Sequence, residues 1–211
     1  AHADTIWMDR SSDGGVTWLE EDLRVAQIAG GWDCAIRGFN RANGMPVTRV
    51  DRSNGPHAGR VYVNWTDNRN GPDDQDVWVV YSDDGGTTWT APIRVNDDPA
   101  GAQQFFTWMD VDDITGFVHI VFYDRRKAEA NYPNPATKPS WDTEVYVASS
   151  YDGGATWRNL LVSEKPFRPQ EKMFFGDYNN ISAYDGRVRP IWTRNDQGIL
   201  SIWTAFMDGF E

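Results

Sequence analysis

Arginine and aspartate recur as close neighbours directly after three apolar segments of similar composition. These neighbours are Asp67 and Arg69, then Asp124, Arg125 and Arg126, and finally Arg194 and Asp196, where the order is reversed. The planar guanidinium group of arginine binds a carboxylate through two parallel hydrogen bonds. These arginines can therefore hold an acidic ligand, or they can form ion pairs with the neighbouring aspartates. Recurrence in successive segments favours ion pairs that fasten neighbouring loops.

Aromatic and acidic side chains form a second group of candidates. They are Trp108, Asp110, Asp177 and Tyr178, which we expect near the starts of two strands on the same face. The longest predicted loop covers residues 126–142 and contains Tyr132, Lys138 and Trp141. Long loops on a rigid scaffold commonly carry binding sites. The predicted ligand-binding residues are accordingly Arg69, Arg125, Arg126, Arg194, Trp108 and Trp141.

The elements that must position these residues are marked by three copies of one eight-residue pattern, S-x-D-G-G-x-T-W. The Asp can accept hydrogen bonds from backbone N–H groups a few residues on, and the glycines readily adopt positive φ angles. The pattern therefore predicts a tight turn between antiparallel strands, with the Trp filling a gap between neighbouring sheets. The residues predicted to build the turns are Ser11, Asp13, Gly15 and Trp18, then Ser82, Asp84, Gly86 and Trp89, and then Ser150, Asp152, Gly154 and Trp157. A fixed period of this kind indicates a repeated supersecondary unit.

The octapeptide resembles the Asp-box, or bacterial neuraminidase repeat, of the sialidase superfamily. The resemblance implies a β-propeller of four-stranded antiparallel blades, six in a complete ring, with each box between the third and fourth strands of a blade. The three boxes cover 24 of the 211 residues, and the repeat that they mark extends over nearly the whole chain. On such a fold the boxes lie on the face away from the loops between strands two and three, so their aspartates are expected to be structural.

Apolar residues of period two follow a glycine in three segments, Gly59 to Trp65, Gly116 to Phe122 and Gly186 to Trp192, and predict the second strand of each blade. Pro190 lacks an N–H group and predicts a bulge or weaker strand pairing in the last copy. We predict an all-β chain that forms one partial propeller domain, 1–211. Its predicted parts are blade ends at 1–30, complete blades at 45–97 and 105–164, and a partial last blade at 175–208. Because a closed propeller needs whole blades, we expect a further segment or another chain to complete the ring.

The same resemblance implies an activity. Sialidases hold the substrate carboxylate with three arginines and use a Tyr nucleophile polarised by a Glu, with an Asp as acid/base. Tyr178 fits the late position of that Tyr, Asp110 and Asp177 are the candidate acids, and Arg69, Arg125 or Arg126, and Arg194 are the candidate arginines. The first strand of blade 45–97 has no Glu, and Asp51 is its nearest acid.

Two functions therefore remain open. The protein is either an exo-sialidase-type glycoside hydrolase acting on sialoglycoconjugates, or a non-catalytic propeller that binds glycan or protein. Tyr178 is correspondingly either a nucleophile or an inner-strand aromatic that packs in the fold.

Composition argues against several partners. The net charge of −11 and the isoelectric point of about 4.6 oppose binding to nucleic acid or to an anionic membrane. No apolar run is long enough to span a membrane. Cys34 is the only cysteine, so an intrachain disulfide is impossible. An acidic, Trp-rich β-protein suits a secreted or cell-surface location, which the family resemblance also implies.

The sequence predicts no cofactor. The acidic segment 67–76 could bind calcium through carboxylate oxygens, but its spacing does not match an EF-hand, and a solvated loop is the favoured interpretation. The histidines are isolated and lack zinc-ligand spacing.

Overall fold

The computed structural model describes residues 4–39, 41–130, 141–170 and 172–210. Within these ranges the regular secondary structure consists of strands and a single short helix, α1, at Arg126–Ala130. The strands are β1 (Thr5–Met8), β2 (Leu23–Gln27), β3 (Val47–Val50), β4 (Val61–Asp67), β5 (Asp76–Ser82), β6 (Ile93–Arg94), β7 (Gln104–Val111), β8 (Val118–Asp124), β9 (Glu144–Ser150), β10 (Arg158–Leu161), β11 (Asn180–Tyr184), β12 (Arg187–Asp196), β13 (Ile199–Thr204) and β14 (Met207–Asp208).

The strands form four antiparallel sheets that follow one another along the chain. The first sheet is β1-β2, the second is β3-β4-β5-β6, and the third has the order β7-β8-β9-β10. The fourth has the order β11-β12-β13, and β14 also pairs with β12. The predicted all-β class, with four-stranded antiparallel blades of a partial β-propeller, is confirmed.

Each pair of neighbouring sheets encloses its own hydrophobic cluster. Val25 and Ile28 of the first sheet pack against Trp65 and Trp78 of the second. The clusters between the second and third sheets and between the third and fourth are built in the same way. Because β4 and β8 contribute to clusters on both of their faces, nearly all of their side chains are buried. This explains why His119, in the middle of β8, is fully buried, as expected for a packed position.

The three octapeptide turns share one hydrogen-bond pattern. In each turn the Ser hydroxyl donates to the Asp carboxylate and accepts from the N–H of the second Gly, both at 2.8 Å. The Thr backbone N–H and hydroxyl both donate to the same Asp. In the first two turns these bonds, with the Thr hydroxyl foremost, lower the pKa of Asp13 and Asp84 to about 2. In the third, burial opposes the shift, yet the bonds from Thr156 still lower the pKa of Asp152.

The tryptophan that ends each turn differs in its surroundings. Trp89 packs against the cluster between the first and second sheets, and Trp157 packs against the cluster between the second and third. Trp18 belongs to the first sheet, and 59% of its surface is exposed. Trp89 and Trp157 therefore fill gaps between neighbouring sheets as predicted, whereas Trp18 is mostly exposed.

The strand bounds differ from the prediction at two inner strands. β7 begins at Gln104, earlier than the predicted start at Thr107, and its register shifts between Phe105 and Trp108. Tyr178 precedes β11 instead of starting it. The bulge near Phe106, which has a φ of 50°, explains the first difference because a bulge breaks the period-two pattern used to place the strand.

Pro190 interrupts the pairing of β12 as the sequence predicts. Ile191 pairs with Thr204 and Val188 pairs with Met207 in one continuous register, so β13 and β14 follow the same line. Between them the pairing is weakened: the Pro190 carbonyl accepts from the Ala205 N–H at 3.4 Å, but Pro190 has no N–H to donate in return. In the predicted long loop, α1 occupies the first residues, whereas Tyr132 and Lys138 lie outside the described residues.

Candidate functional site

The strand register defines two faces of the molecule. Val61, at the start of β4, pairs with Ser82, where an octapeptide turn begins, and Asp67, at its end, pairs with Asp76. We call the end of the sheets that carries the octapeptides the turn face. The opposite end, where β4, β8 and β12 finish, is the loop face. The repeated Arg and Asp residues therefore lie on the loop face.

Arg69 is bound within its own blade. Its Nε donates to Asp67 Oδ1 at 2.9 Å, its guanidinium lies 4.4 Å from the ring centre of Trp78, and another of its nitrogens donates to the Gln27 carbonyl. The Asp67 side chain is fully buried and also accepts from Trp65 Nε1 at 2.7 Å. Arg69 thus fastens the first sheet to the second.

Arg126 repeats this arrangement one blade later. Its Nε donates to the buried Asp124 at 2.9 Å, and its guanidinium lies 4.2 Å from the ring centre of Tyr146. It also donates to Asp97 and Asn159. Burial raises the pKa of Asp124 to about 6, although the hydrogen bonds from Arg126 act in the opposite direction.

Arg194 completes the series in the fourth sheet. Its Nε lies 2.8 Å from Asp196 Oδ2, and its guanidinium stands 4.4 Å from the ring centre of Trp203. The side chain of Arg194 is only 2% exposed. In all three blades, an arginine therefore joins an aspartate two residues away and covers an aromatic residue of the third strand.

Arg125, by contrast, is buried beneath the loop that precedes β3. It donates to Gln103 Oε1 at 2.9 Å and to Thr143 Oγ1 at 3.2 Å. Its guanidinium lies 5.0 Å from the ring centre of Phe105 and 5.6 Å from that of Phe39. The structure thus places all four predicted ligand-binding arginines inside protein contacts.

Asp110 lies at the opposite end of the molecule from these arginines. It pairs with His119 near the start of β8, at the turn-face end of β7. It accepts from Arg49 Nε at 3.1 Å and from the Ala183 N–H at 2.9 Å. The predicted grouping of Asp110 with Tyr178 on one face is therefore wrong, because the strand begins earlier than the sequence suggests. Asp110 instead borders a separate cavity of about 520 Å³ on the inner strands.

Tyr178 lies on the loop face with 66% of its surface exposed. Its ring stands edge-on to Trp108, with 6.3 Å between ring centres. The neighbouring Asp177 accepts two hydrogen bonds from Arg41, the one from Nε at 3.0 Å. These bonds raise the pKa of Arg41. The structure thus brings three of the predicted residues together, and adds an arginine that the sequence did not indicate.

Trp141 borders a cavity of about 480 Å³ on the loop face. The described lining residues are Trp141, Asp142, Pro166, Phe167, Arg168, Pro169, Gln170, Asn195, Asp196 and Gln197. Arg168 donates to Asp142 at 2.8 Å across this rim. On its other side Trp141 packs close to Gly38, so its ring is held between the preceding loop and the cavity.

Gln197 reaches this cavity from a strained position. It occupies the tight turn between β12 and β13 with a φ of 55°, and Gly198 follows at 88°. Residues other than Gly, Asn and Asp rarely adopt a positive φ. Backbone strain of this kind is concentrated at functional sites, and here it directs an exposed amide side chain into the cavity rim.

Within the described ranges, the His, Cys, Asp and Glu side chains form no group of three that could hold a metal ion. In the segment considered for calcium, Asp67 is bound by Arg69, and Asp76 accepts from Asn70, Arg94 and Asn96. Asp67 and Asp76 therefore each have their own hydrogen-bond partners within the protein. The described part of the chain also contains no helix of the length and apolarity that a membrane span requires.

Comparison with known proteins shows the fold but not a family. No protein-family model matches the chain. The α-L-arabinanase of Penicillium chrysogenum, solved with arabinobiose, is 16% identical and has a TM-score of 0.50, with coverage of 95% of this chain and 52% of the other. The α-L-arabinofuranosidase Arb93A of Fusarium graminearum is 13% identical, with a TM-score of 0.50 and coverage of 96% and 53%. The microbial sialidase Hz136 is 16% identical, with a TM-score of 0.48 and coverage of 75% and 35%.

The chain thus shares the β-propeller fold of known glycosidases, and it spans about half the length, or less, of these solved structures. At such low identity the likeness concerns the fold alone, because one fold can carry many functions.

Proposed function

We propose that this protein binds glycan on its loop face, in the cavity bordered by Trp141. The observation that supports this is the composition of the rim, where one half-buried indole stands beside amide side chains and an Arg–Asp pair. An aromatic ring offers a flat apolar surface, and nearby polar groups supply orientation and specificity. The volume of about 480 Å³ falls in the range of small-molecule sites. The arabinobiose complex of the Penicillium arabinanase supports the choice of glycan as the ligand class.

The test is a binding titration of the whole chain with arabino-oligosaccharides, sialyl-oligosaccharides and their uncharged cores. We expect Trp141→Ala to weaken binding about tenfold or more, since stacking surface contributes on the order of 1–2 kcal/mol. Trp18→Ala is the matched control, because Trp18 lies in an octapeptide turn and is 59% exposed. Binding by Trp141→Ala equal to that of the parent protein would contradict the proposal.

Gln197→Gly separates binding from folding. Gly adopts a positive φ without strain, so this variant removes the side chain while keeping, or improving, stability. We expect weaker binding together with an undiminished melting temperature. Unchanged affinity for the glycan would show that the Gln197 side chain does not contribute to binding.

A second candidate function is glycoside hydrolysis with Tyr178 as nucleophile, in the manner of sialidases. The observation in its favour is that Tyr178 is exposed beside Asp177 and Arg41 on the same face. Against it, three of the arginines predicted to hold a substrate carboxylate are paired with aspartates. The titration panel can be assayed for released sugar at the same time, and turnover that is lost in Tyr178→Phe would favour hydrolysis over binding alone.

A further inference from the structure

We infer that the loop-face cavity selects uncharged oligosaccharides and disfavours those with a carboxylate, such as sialosides. This inference rests on the proposed glycan binding at Trp141 and names the ligand class of that site. It departs from the substrate that the sequence resemblance implies. Four observations support it: the charges of the rim, the state of the loop-face arginines, the charge of the whole chain, and the polar groups that remain for a ligand.

The charges on the cavity rim leave little attraction for an anion. The described lining residues include two aspartates, Asp142 and Asp196, and one arginine, Arg168. Arg168 is already in contact with Asp142 at 2.8 Å. A ligand carboxylate would compete with Asp142 for this guanidinium and would lie close to two like charges, which is unfavourable.

The other loop-face arginines are already paired with aspartates: Arg41 donates two hydrogen bonds to Asp177, and the three arginines of the repeated Arg–Asp pairs are held more deeply. Arg194, the nearest along the chain to the rim, is 2% exposed and is held by Asp196 and the ring of Trp203. Arg69 and Arg126 are each paired with an aspartate whose side chain is fully buried. Moving Arg69 or Arg126 to a ligand would leave a buried carboxylate without its cation, which is strongly unfavourable. Arg194 is itself too deeply buried to reach a ligand without leaving the ring of Trp203.

The net charge of the chain acts in the same direction over longer distances. At −11 it repels an approaching anion, and this contribution is reduced by salt because screening shortens its range. The short-range contribution from the rim persists at high salt.

An uncharged sugar, by contrast, finds groups suited to its hydroxyls. The amides of Gln170 and Gln197 are both exposed, and each can donate as well as accept hydrogen bonds. The Trp141 ring supplies the apolar surface. An uncharged glycan can use these groups without breaking an ion pair.

The experiment measures the affinity of the whole chain for one oligosaccharide core with and without a terminal sialic acid, at low and at high salt. We expect the uncharged core to bind about tenfold more tightly, and the difference to shrink but persist at high salt. The variant Asp142→Asn is nearly isosteric and removes the carboxylate charge that Arg168 contacts, so it should narrow the preference.

Two results would overturn the inference. Equal or tighter binding of the sialylated form would overturn the inference, while glycan binding itself would stand. Weaker binding of that form by Arg168→Gln would then identify Arg168 as the group that holds the carboxylate. Failure of both forms and of arabino-oligosaccharides to bind would overturn the proposed function, and the inference with it.

Discussion

At the scale of single residues, the decisive contacts are those between loop-face arginines and buried aspartates. The side chains of Asp67 and Asp124 are fully buried, and a buried carboxylate requires a compensating charge and hydrogen bonds. Each aspartate obtains these from the arginine two residues later. The burial of the acid therefore commits the arginine to a structural role before any ligand can use it.

Replacement of Arg126 by Met tests this role. We expect a loss of about 3–5 kcal/mol in the free energy of unfolding, because Asp124 would remain buried without its cation. Since burial already raises the pKa of Asp124 to about 6, loss of Arg126 should raise it further. The folded state then holds a proton that the unfolded state releases, so the variant should lose stability as the pH rises from about 4 through the folded pKa. Urea unfolding at pH 5 and pH 8 measures both effects.

Arg52→Met is the control for this change. Arg52 pairs with Asp113 at 2.6 Å, but its side chain is 69% exposed, so the loss should stay below about 1 kcal/mol. Addition of Asp124→Asn to Arg126→Met should recover part of the stability. Equal losses for Arg52→Met and Arg126→Met would contradict the buried-acid explanation.

At the scale of elements, the sequence predicted those parts of the fold that depend on contacts between residues close together in the chain. Every hydrogen bond within an octapeptide turn joins residues at most four positions apart, so the pattern alone specifies the turn and the strands that flank it. The loop-face cavity is different, because Trp141, Arg168 and Gln197 come from three separate segments. Arg41 and Asp177 are 136 positions apart. No local pattern brings such residues together. Asp110 lies at the turn-face end because β7 begins at Gln104, three residues before the predicted start.

The octapeptide turns should contribute to stability in a pH-dependent way. The pKa of Asp84 is lowered from 3.8 to about 2, so its stabilising effect is present above about pH 4 and is lost as the pH falls towards 2. We expect Asp84→Asn to lower the melting temperature at pH 7, and this difference to shrink strongly as the pH falls to about 2. Asp73→Asn, at an exposed loop-face residue, should change the melting temperature little. A difference for Asp84→Asn that stays constant between pH 7 and pH 2 would argue against the carboxylate as its source.

At the scale of the whole molecule, the octapeptide turns also connect neighbouring sheets. Arg10 of the first turn region donates to the Gly85 carbonyl of the second at 2.9 Å, and Arg60 donates to the Gly153 carbonyl of the third at 2.7 Å. A Cβ on Gly154 would stand 3.2 Å from the ring of Tyr62, which is fully buried between the second and third sheets. The second glycine of the pattern therefore serves both its own turn and the packing of one blade against the next.

Two matched alanine variants distinguish these two requirements. Gly15 and Gly154 occupy the same position of the octapeptide, with φ angles of 91° and 92°, but a Cβ on Gly15 would meet only its own Trp18, at 3.7 Å. Both substitutions should cost about 1–2 kcal/mol for the positive φ. Gly154→Ala should cost about 1–3 kcal/mol more, because the rigid Tyr62 ring must move within a packed interface. Equal losses in urea unfolding would show that the glycine is needed for the turn alone, and that the contact with the neighbouring sheet carries no stability of its own.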